Sequence, residues 1–178
     1  MFALAGLALT GLLCLLWALA AGEIAVPLAG VLDALSGHGD DMQAAIVREL
    51  RLPRAVAAFA CGGLLALAGA LMQVLLRNPL ADPYVLGISG GAAVGALAAM
   101  TFGLVSWMVD GAAFAGALAA MALVFGLSRG VGAWTQTRLL LTGVIVAAGC
   151  GAVVSMMLAL APDPRVQSML FWLMGDAS

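Results

Sequence analysis

The side chains able to do chemistry in this sequence are few, and the cations among them are all arginines: Arg48, Arg51, Arg54, Arg77, Arg129, Arg138 and Arg165. Without a lysine, the chain can form neither a G-x-x-x-x-G-K-[ST] phosphate loop nor a Schiff base. Any nucleotide hydrolysis must therefore come from a partner. The single histidine, His38, falls in a polar stretch, and Cys14, Cys61 and Cys150 lie in apolar runs without metal-ligand spacing, as small hydrophobes do. No metal site, catalytic residue or cofactor of its own is expected. The apolar runs hold no carboxylate pair and none of the intramembrane charges that mark a proton or ion path. What is left is recognition and steric closure, not bond making.

Those few polar groups must be positioned by elements of an unusual kind. Hydrophobic residues make up 65% of the 178, charged residues 9%, and mean hydropathy is +1.16. An average soluble domain is about 45–50% apolar, and a chain this short could not bury the excess. The apolar residues also come in runs near the roughly 20 needed to cross a bilayer. Spans are expected at about residues 3–21, 55–76, 85–109, 112–127 and 139–161. The first lacks a basic leader and is too long for a signal-peptide core, so it reads as a retained helix. Residues 22–53 form an aqueous loop carrying Glu23, Asp33, His38, Asp40, Asp41, Arg48, Glu49 and Arg51. Within it Ile24, Val26, Leu28, Val31, Leu32 and Leu35 give a short helix an apolar side for the interface. Pro79 and Pro83 break the chain between the second and third spans. After Pro162 and Pro164, residues 166–174 are too few to span and read as a re-entrant or interfacial helix. The fold class is all-α integral membrane protein, about five transmembrane helices plus that short helix, in contact with lipid. A net charge of −2 gives no reason to expect nucleic acid.

Gly87, Gly91 and Gly95 recur every four residues, a small-residue ridge that lets helix backbones approach closely. Orientation is not settled by charge. Odd-numbered loops hold Arg48, Arg51, Arg54 and Arg165, even-numbered loops Arg77, Arg129 and Arg138, so the basic residues divide almost evenly.

Two stretches are more specific than composition. Arg51-Leu52-Pro53-Arg54 leads into an Ala/Gly-rich helix ending Gly69-Ala70-Leu71-Met72-Gln73, followed by Arg77-Asn78-Pro79-Leu80-Ala81-Asp82-Pro83-Tyr84-Val85-Leu86-Gly87-Ile88-Ser89-Gly90-Gly91-Ala92. Farther on come Arg138-Leu139-Leu140-Leu141-Thr142-Gly143 and Trp172-Leu173-Met174-Gly175-Asp176. Together these resemble the FecCD-type permeases, the membrane subunits of ABC importers for iron-siderophores, haem and vitamin B12, over nearly the whole chain.

The resemblance implies a bacterial inner (plasma) membrane location, a cytoplasmic ATP-binding subunit that binds ATP and magnesium, a periplasmic substrate-binding protein, and a homodimer or paired permease at full length. It implies that Arg51 and Arg54 meet acidic residues of the binding protein, a role that guanidinium forks suit because they pair bidentately with carboxylates. The alternative is that they anchor a helix end at the membrane interface. It also implies a cytoplasmic gate from Asn78 and Leu80 together with Gln136 and Thr137, groups able to close a pore by packing and dewetting. The other reading of the Asn78 segment is a proline-broken turn. Met156 and Met157 are candidates for lining the pathway, and equally for lipid or core contacts.

Permeases of this type are about twice as long, with about ten helices, and the loop that docks on the ATPase belongs to their second half. The chain therefore reads as an N-terminal half that inserts but does not drive transport alone. Ferric siderophore is the expected cargo on family breadth, with haem or cobalamin as alternatives. A stand-alone or split membrane subunit is the competing reading.

Overall fold

A computed structural model describes residues 2–22, 24–38, 42–129 and 135–175. Glu23, Asp40, Asp41 and Asp176 lie outside the described residues. The described elements are helical throughout: α1 (Phe2–Ala20), α2 (Leu28–Ser36), α3 (Met42–Ala45), a π-helical turn (Ile46–Arg51), α4 (Leu52–Leu76), a 3-10 turn (Pro83–Leu86), α5 (Ile88–Thr101), α6 (Ser106–Ser128), α7 (Gln136–Leu160) and α8 (Asp163–Met174). They group into two compact units, one on residues up to Ala66 and the other from Leu67 to Asp176, with α4 running through both.

α3, the π turn and α4 form one continuous helix, Met42–Leu76, whose first part belongs to the first unit. The π turn follows from Pro53. A proline has no N–H to give the ladder, and here the backbone shifts register, the Leu52 N–H reaching the Val47 carbonyl. The apolar positions picked out on the first loop do form a short helix. In α2, Val31 and Ala34 turn inward to meet Leu19, Val26, Ala44 and Val47 in a small core, while Leu28, Leu32 and Leu35 stay exposed. Gly37, at φ 88°, ends α2 in a Schellman pattern: its N–H bonds to Ala34 O and that of His38 to Asp33 O. Between residues 56 and 67, α4 is exposed at every position.

The second unit is built on α5, α6 and α7. One core joins Met72 and Leu76 of α4 to Leu86, Ala120, Val124, Leu139 and Val146; another joins Ala96, Leu97 and Ala99 to Val109 and Met169. The third span is shorter than the sequence suggests. Residues 85–109 are not one helix: α5 ends at Thr101, where Gly103 at φ 71° lets its own N–H bond to Met100 O and that of Leu104 to Ala99 O. The next helix starts at Ser106 instead of residue 112. Asp110 thereby moves out of a loop and onto the second turn of α6, where it is exposed. Among the described residues, three helices are long and apolar enough to cross a membrane: Met42–Leu76, Ser106–Ser128 and Gln136–Leu160. The apolar α1 and α5 are shorter, 19 and 14 residues.

Candidate functional site: two arginines, a proline loop and a glycine interface

Within the first unit the R-x-P-R element straddles the junction of the π turn with α4. Its two arginines have different surroundings. Arg51, the last residue of the π turn, donates from Nη1 to the carbonyls of Leu19 and Ala20 at 2.9 and 3.1 Å, and from Nη2 to Ile24 O at 2.5 Å. Those carbonyls include the last two of α1, where the helix dipole is negative and no intrahelical N–H remains. Arg54, one turn on, is exposed, and its side chain makes no hydrogen bond among the described residues. The neighbouring Arg48 also caps a helix, donating from Nε to Ala34 O of α2 at 2.5 Å, while its buried Nη2 has no partner among the described residues. Ala18, Ala55 and Ala58 floor an open depression of about 320 Å³ beside Arg51 and Arg54.

The second unit holds the other candidates, and it brings together two segments more than 50 residues apart. α4 ends in a Schellman motif, Asn78 N–H to Gln73 O at 3.1 Å and Arg77 N–H to Val74 O at 3.3 Å. Here the left-handed residue is Arg77, at φ 47°, instead of a glycine. The loop that follows is set by its own side chains. Asn78 Oδ1 accepts from the Leu80 N–H at 3.0 Å, and Asp82 Oδ1 from the Tyr84 N–H at 2.8 Å, capping the 3-10 turn. Asn78 is thus engaged in shaping the turn, and Leu80, 88% exposed, is what the turn presents.

Gln136 and Thr137 are not loop residues, as their place before Arg138 suggests. Thr135 is the N-cap of α7, its Oγ1 accepting from the Arg138 N–H at 3.3 Å, so both residues lie in the helix's first turn. From there Gln136 Nε2 reaches Leu75 O at 3.5 Å, on the last turn of α4. The start of α7 and the end of α4 are neighbours, with Leu139 fully buried between them in the core that holds Met72 and Leu76.

Gly87, Gly91 and Gly95 do not form one ridge. Gly87 precedes α5, at φ 69°, and a β-carbon there would stand 3.0 Å from the Ala147 backbone nitrogen of α7. Gly91 and Gly95 face α6: a β-carbon on Gly91 would lie 2.5 Å from Gly116 O, and one on Gly95 would collide with Ala112 O. Gly116 returns the contact against Gly91, and Gly143 admits the Val85 carbonyl. Gly116 and Gly143 cannot be picked out from local sequence, because each is half of an interface whose other half is distant in the chain. Beside the α5–α6 contact runs an apolar groove of about 300 Å³, lined by Val94, Ala98, Leu123, Val146 and Cys150 among others.

Met156 and Met157 separate as well. Met157 packs against the core around Ala96 and Met169, while Met156 is exposed. α8 is fixed by Met169 and by Arg165, whose Nη1 donates to Thr101 O at the end of α5. Among the described residues no three His, Cys, Asp or Glu side chains gather as a metal site would need.

The FecCD transport family model matches residues 9–178. This chain belongs to the FecCD transport family. Among its relatives, the ferric enterobactin transport system permease protein FepD of Escherichia coli K12 is 43% identical over 178 residues, covering 96% of this chain and 53% of the relative. The vitamin B12 import system permease protein BtuC of Escherichia coli O127:H6 is 36% identical over 167 residues, 92% of this chain and 48% of the relative. The ABC transporter permease protein YvrB of Bacillus subtilis, itself uncharacterized, is 43% identical over 148 residues, 80% and 42%. A solved structure of a proposed metal-chelate type ABC transporter, in an inward-facing conformation, aligns with a TM-score of 0.77 at 26% identity, covering 98% of this chain and 51% of that one. The chain spans about half the length of these relatives. Family membership and the spanning helices make it a multi-pass protein of the inner membrane.

Proposed function

We propose that this chain forms part of the translocation pathway of an importer for metal chelates of the ferric-siderophore class, with energy from a separate cytoplasmic ATP-binding subunit. Arg54 lies on the periplasmic face, where a substrate-binding protein docks through its acidic residues. The loop carrying Leu80 and the first turn of α7 with Gln136 and Thr137 lie on the cytoplasmic face and narrow the exit. A second permease copy or a paired permease completes the pathway.

The observation that supports this reading best is the approach of α7 to the end of α4. It brings the Asn78–Leu80 loop near the Gln136 turn, and the loop holds an apolar side chain out from its surface. A leucine on a hydrogen-bonded turn can seal a pore by excluding water yet withdraw without breaking a polar contact. Siderophore is proposed on the breadth of the family alone, since FepD is 43% identical and the cobalamin import permease BtuC of Halobacterium salinarum 44%.

The test is uptake of labelled ferric siderophore, haem and cobalamin by cells supplying this chain with the remaining permease segment and ATP-binding subunit. Siderophore accumulation that stops when ATP is depleted is expected; accumulation of cobalamin alone would reassign the cargo, and accumulation of none would end the import reading. The chain without the remaining segment should insert in membranes and transport nothing, since α4 is left exposed along most of its length.

A further inference from the structure

The two arginines of the R-x-P-R element are equivalent in sequence and different in structure. Arg51 directs three hydrogen bonds at carbonyls of α1 and the segment that leaves it, Leu19, Ala20 and Ile24. Ala20 O also accepts the Val26 N–H at 3.2 Å, so the guanidinium joins a turn the backbone has already begun. Gly22 supplies the room: a β-carbon there would stand 2.5 Å from Nη2 of Arg51 and 3.0 Å from its Cζ. The π turn supplies the direction, because widening the helix just before Pro53 changes where residue 51 points relative to residue 54.

We infer that Arg51 is a positioning residue, a clamp that fixes the carboxyl end of α1 and the chain leaving it, and that Arg54 is the cation of the pair presented to an acidic partner. The clamp stands on geometry alone; the assignment of Arg54 rests on the docking reading above. A guanidinium whose donors are directed at helix-terminal carbonyls has its charge partly offset by the dipole there and has fewer N–H groups left for a carboxylate fork. Replacing a docking arginine removes a charge from the encounter, whereas replacing a clamp loosens the surface on which the other charge sits.

The detergent-solubilised chain allows the roles to be separated. Phenylglyoxal, which modifies accessible arginines, should label Arg54 and spare Arg51 by roughly tenfold in rate, as a charge-assisted hydrogen-bond network would impose. Amide exchange at Ala21 and Val26 should rise by about tenfold in Arg51→Gln and be unchanged in Arg54→Gln. Gly22→Ala keeps the cation but displaces it, so it should raise the same exchange and make Arg51 reactive; this variant decides the matter if Arg51→Gln does not fold. Binding of a glutamate-rich peptide should lose its salt dependence in Arg54→Gln and keep it in Arg51→Gln. Equal labelling of the two arginines, or a salt dependence flattened equally by both substitutions, would overturn the clamp. If labelling and exchange follow expectation but neither substitution alters peptide binding, the clamp is upheld, and the presentation of Arg54 falls together with the docking reading.

Discussion

The two units of this chain join their helices by different means. In the first, long arginine side chains reach across to the carboxyl ends of other helices: Arg51 to α1 and Arg48 to α2, around a core of six buried residues. In the second, one such arginine, Arg165, reaches the end of α5, but the closest joints are made by glycines that remove the side chain altogether so that backbones touch, as at Gly91 and Gly95 against α6. Lipid tails are as apolar as leucine, so helices in a membrane gain little by hiding apolar surface from them. Association must come from close packing or from polar bonds. A guanidinium on a flexible stem tolerates an ångström of misplacement; a glycine contact does not. The first unit is therefore built to tolerate local shifts and the second to keep its register.

The sharpest way to break the contrast is to put bulk into the glycine interface. Gly95→Leu should force α5 and α6 apart, because Ala112 O already occupies the place of the first carbon, and should lower stability by about 3 kcal/mol or more. Thermal denaturation in detergent would read it, and an unchanged midpoint would mean the interface is not close-packed. The paired control is Gly62→Ala on α4, where an added carbon meets nothing within 4 Å. There the better helix former should stabilise by about 0.5–1 kcal/mol. Next in size is Met169→Ala, which empties a fully buried site between α8 and α5 and should cost about 2–3 kcal/mol, with α8 becoming protease-sensitive before the other helices. Arg77→Gly should act in the opposite direction, stabilising by about 1 kcal/mol as the left-handed residue of α4's end loses its side-chain penalty. A destabilised Arg77→Gly would show that the arginine side chain holds something the backbone does not. Smallest is Gln136→Ala, about 0.5 kcal/mol, since it removes one long hydrogen bond.

The legible part of this fold was whatever runs along one helix or one loop. Apolar runs gave the class, Pro79 and Pro83 gave the break after α4, and the apolar positions from Val26 to Leu35 gave a short helix in the first loop. The unread part depended on contacts between distant residues. Nothing local distinguishes Gly116, which meets Gly91, from Gly111 or Gly126, which meet nothing. Gly103 looked like one more small residue inside a span, yet its positive φ ends α5 eight residues early. The near-even division of arginines between loops was puzzling as a topology signal. Part of the answer is that Arg48, Arg51 and Arg165 each cap a helix other than their own. The possibility that Arg51 anchors a helix end was visible in the sequence, but only the fold separates it from Arg54.

The early end of α5 has a further consequence for the membrane itself. Fourteen residues at about 1.5 Å each span roughly 21 Å, short of the ~30 Å of a bilayer's hydrocarbon, while the 25 residues of α4 span roughly 37 Å. One helix must tilt to fit, and the other cannot reach. Around α5 the bilayer has to thin or admit water, or the helix must stop below the headgroups with its last carbonyls answered from within the protein. Gly103, Leu104 and the guanidinium of Arg165 answer three of them, at Met100, Ala99 and Thr101. The hydrophobic mismatch is thus met on the protein side before the lipid has to deform.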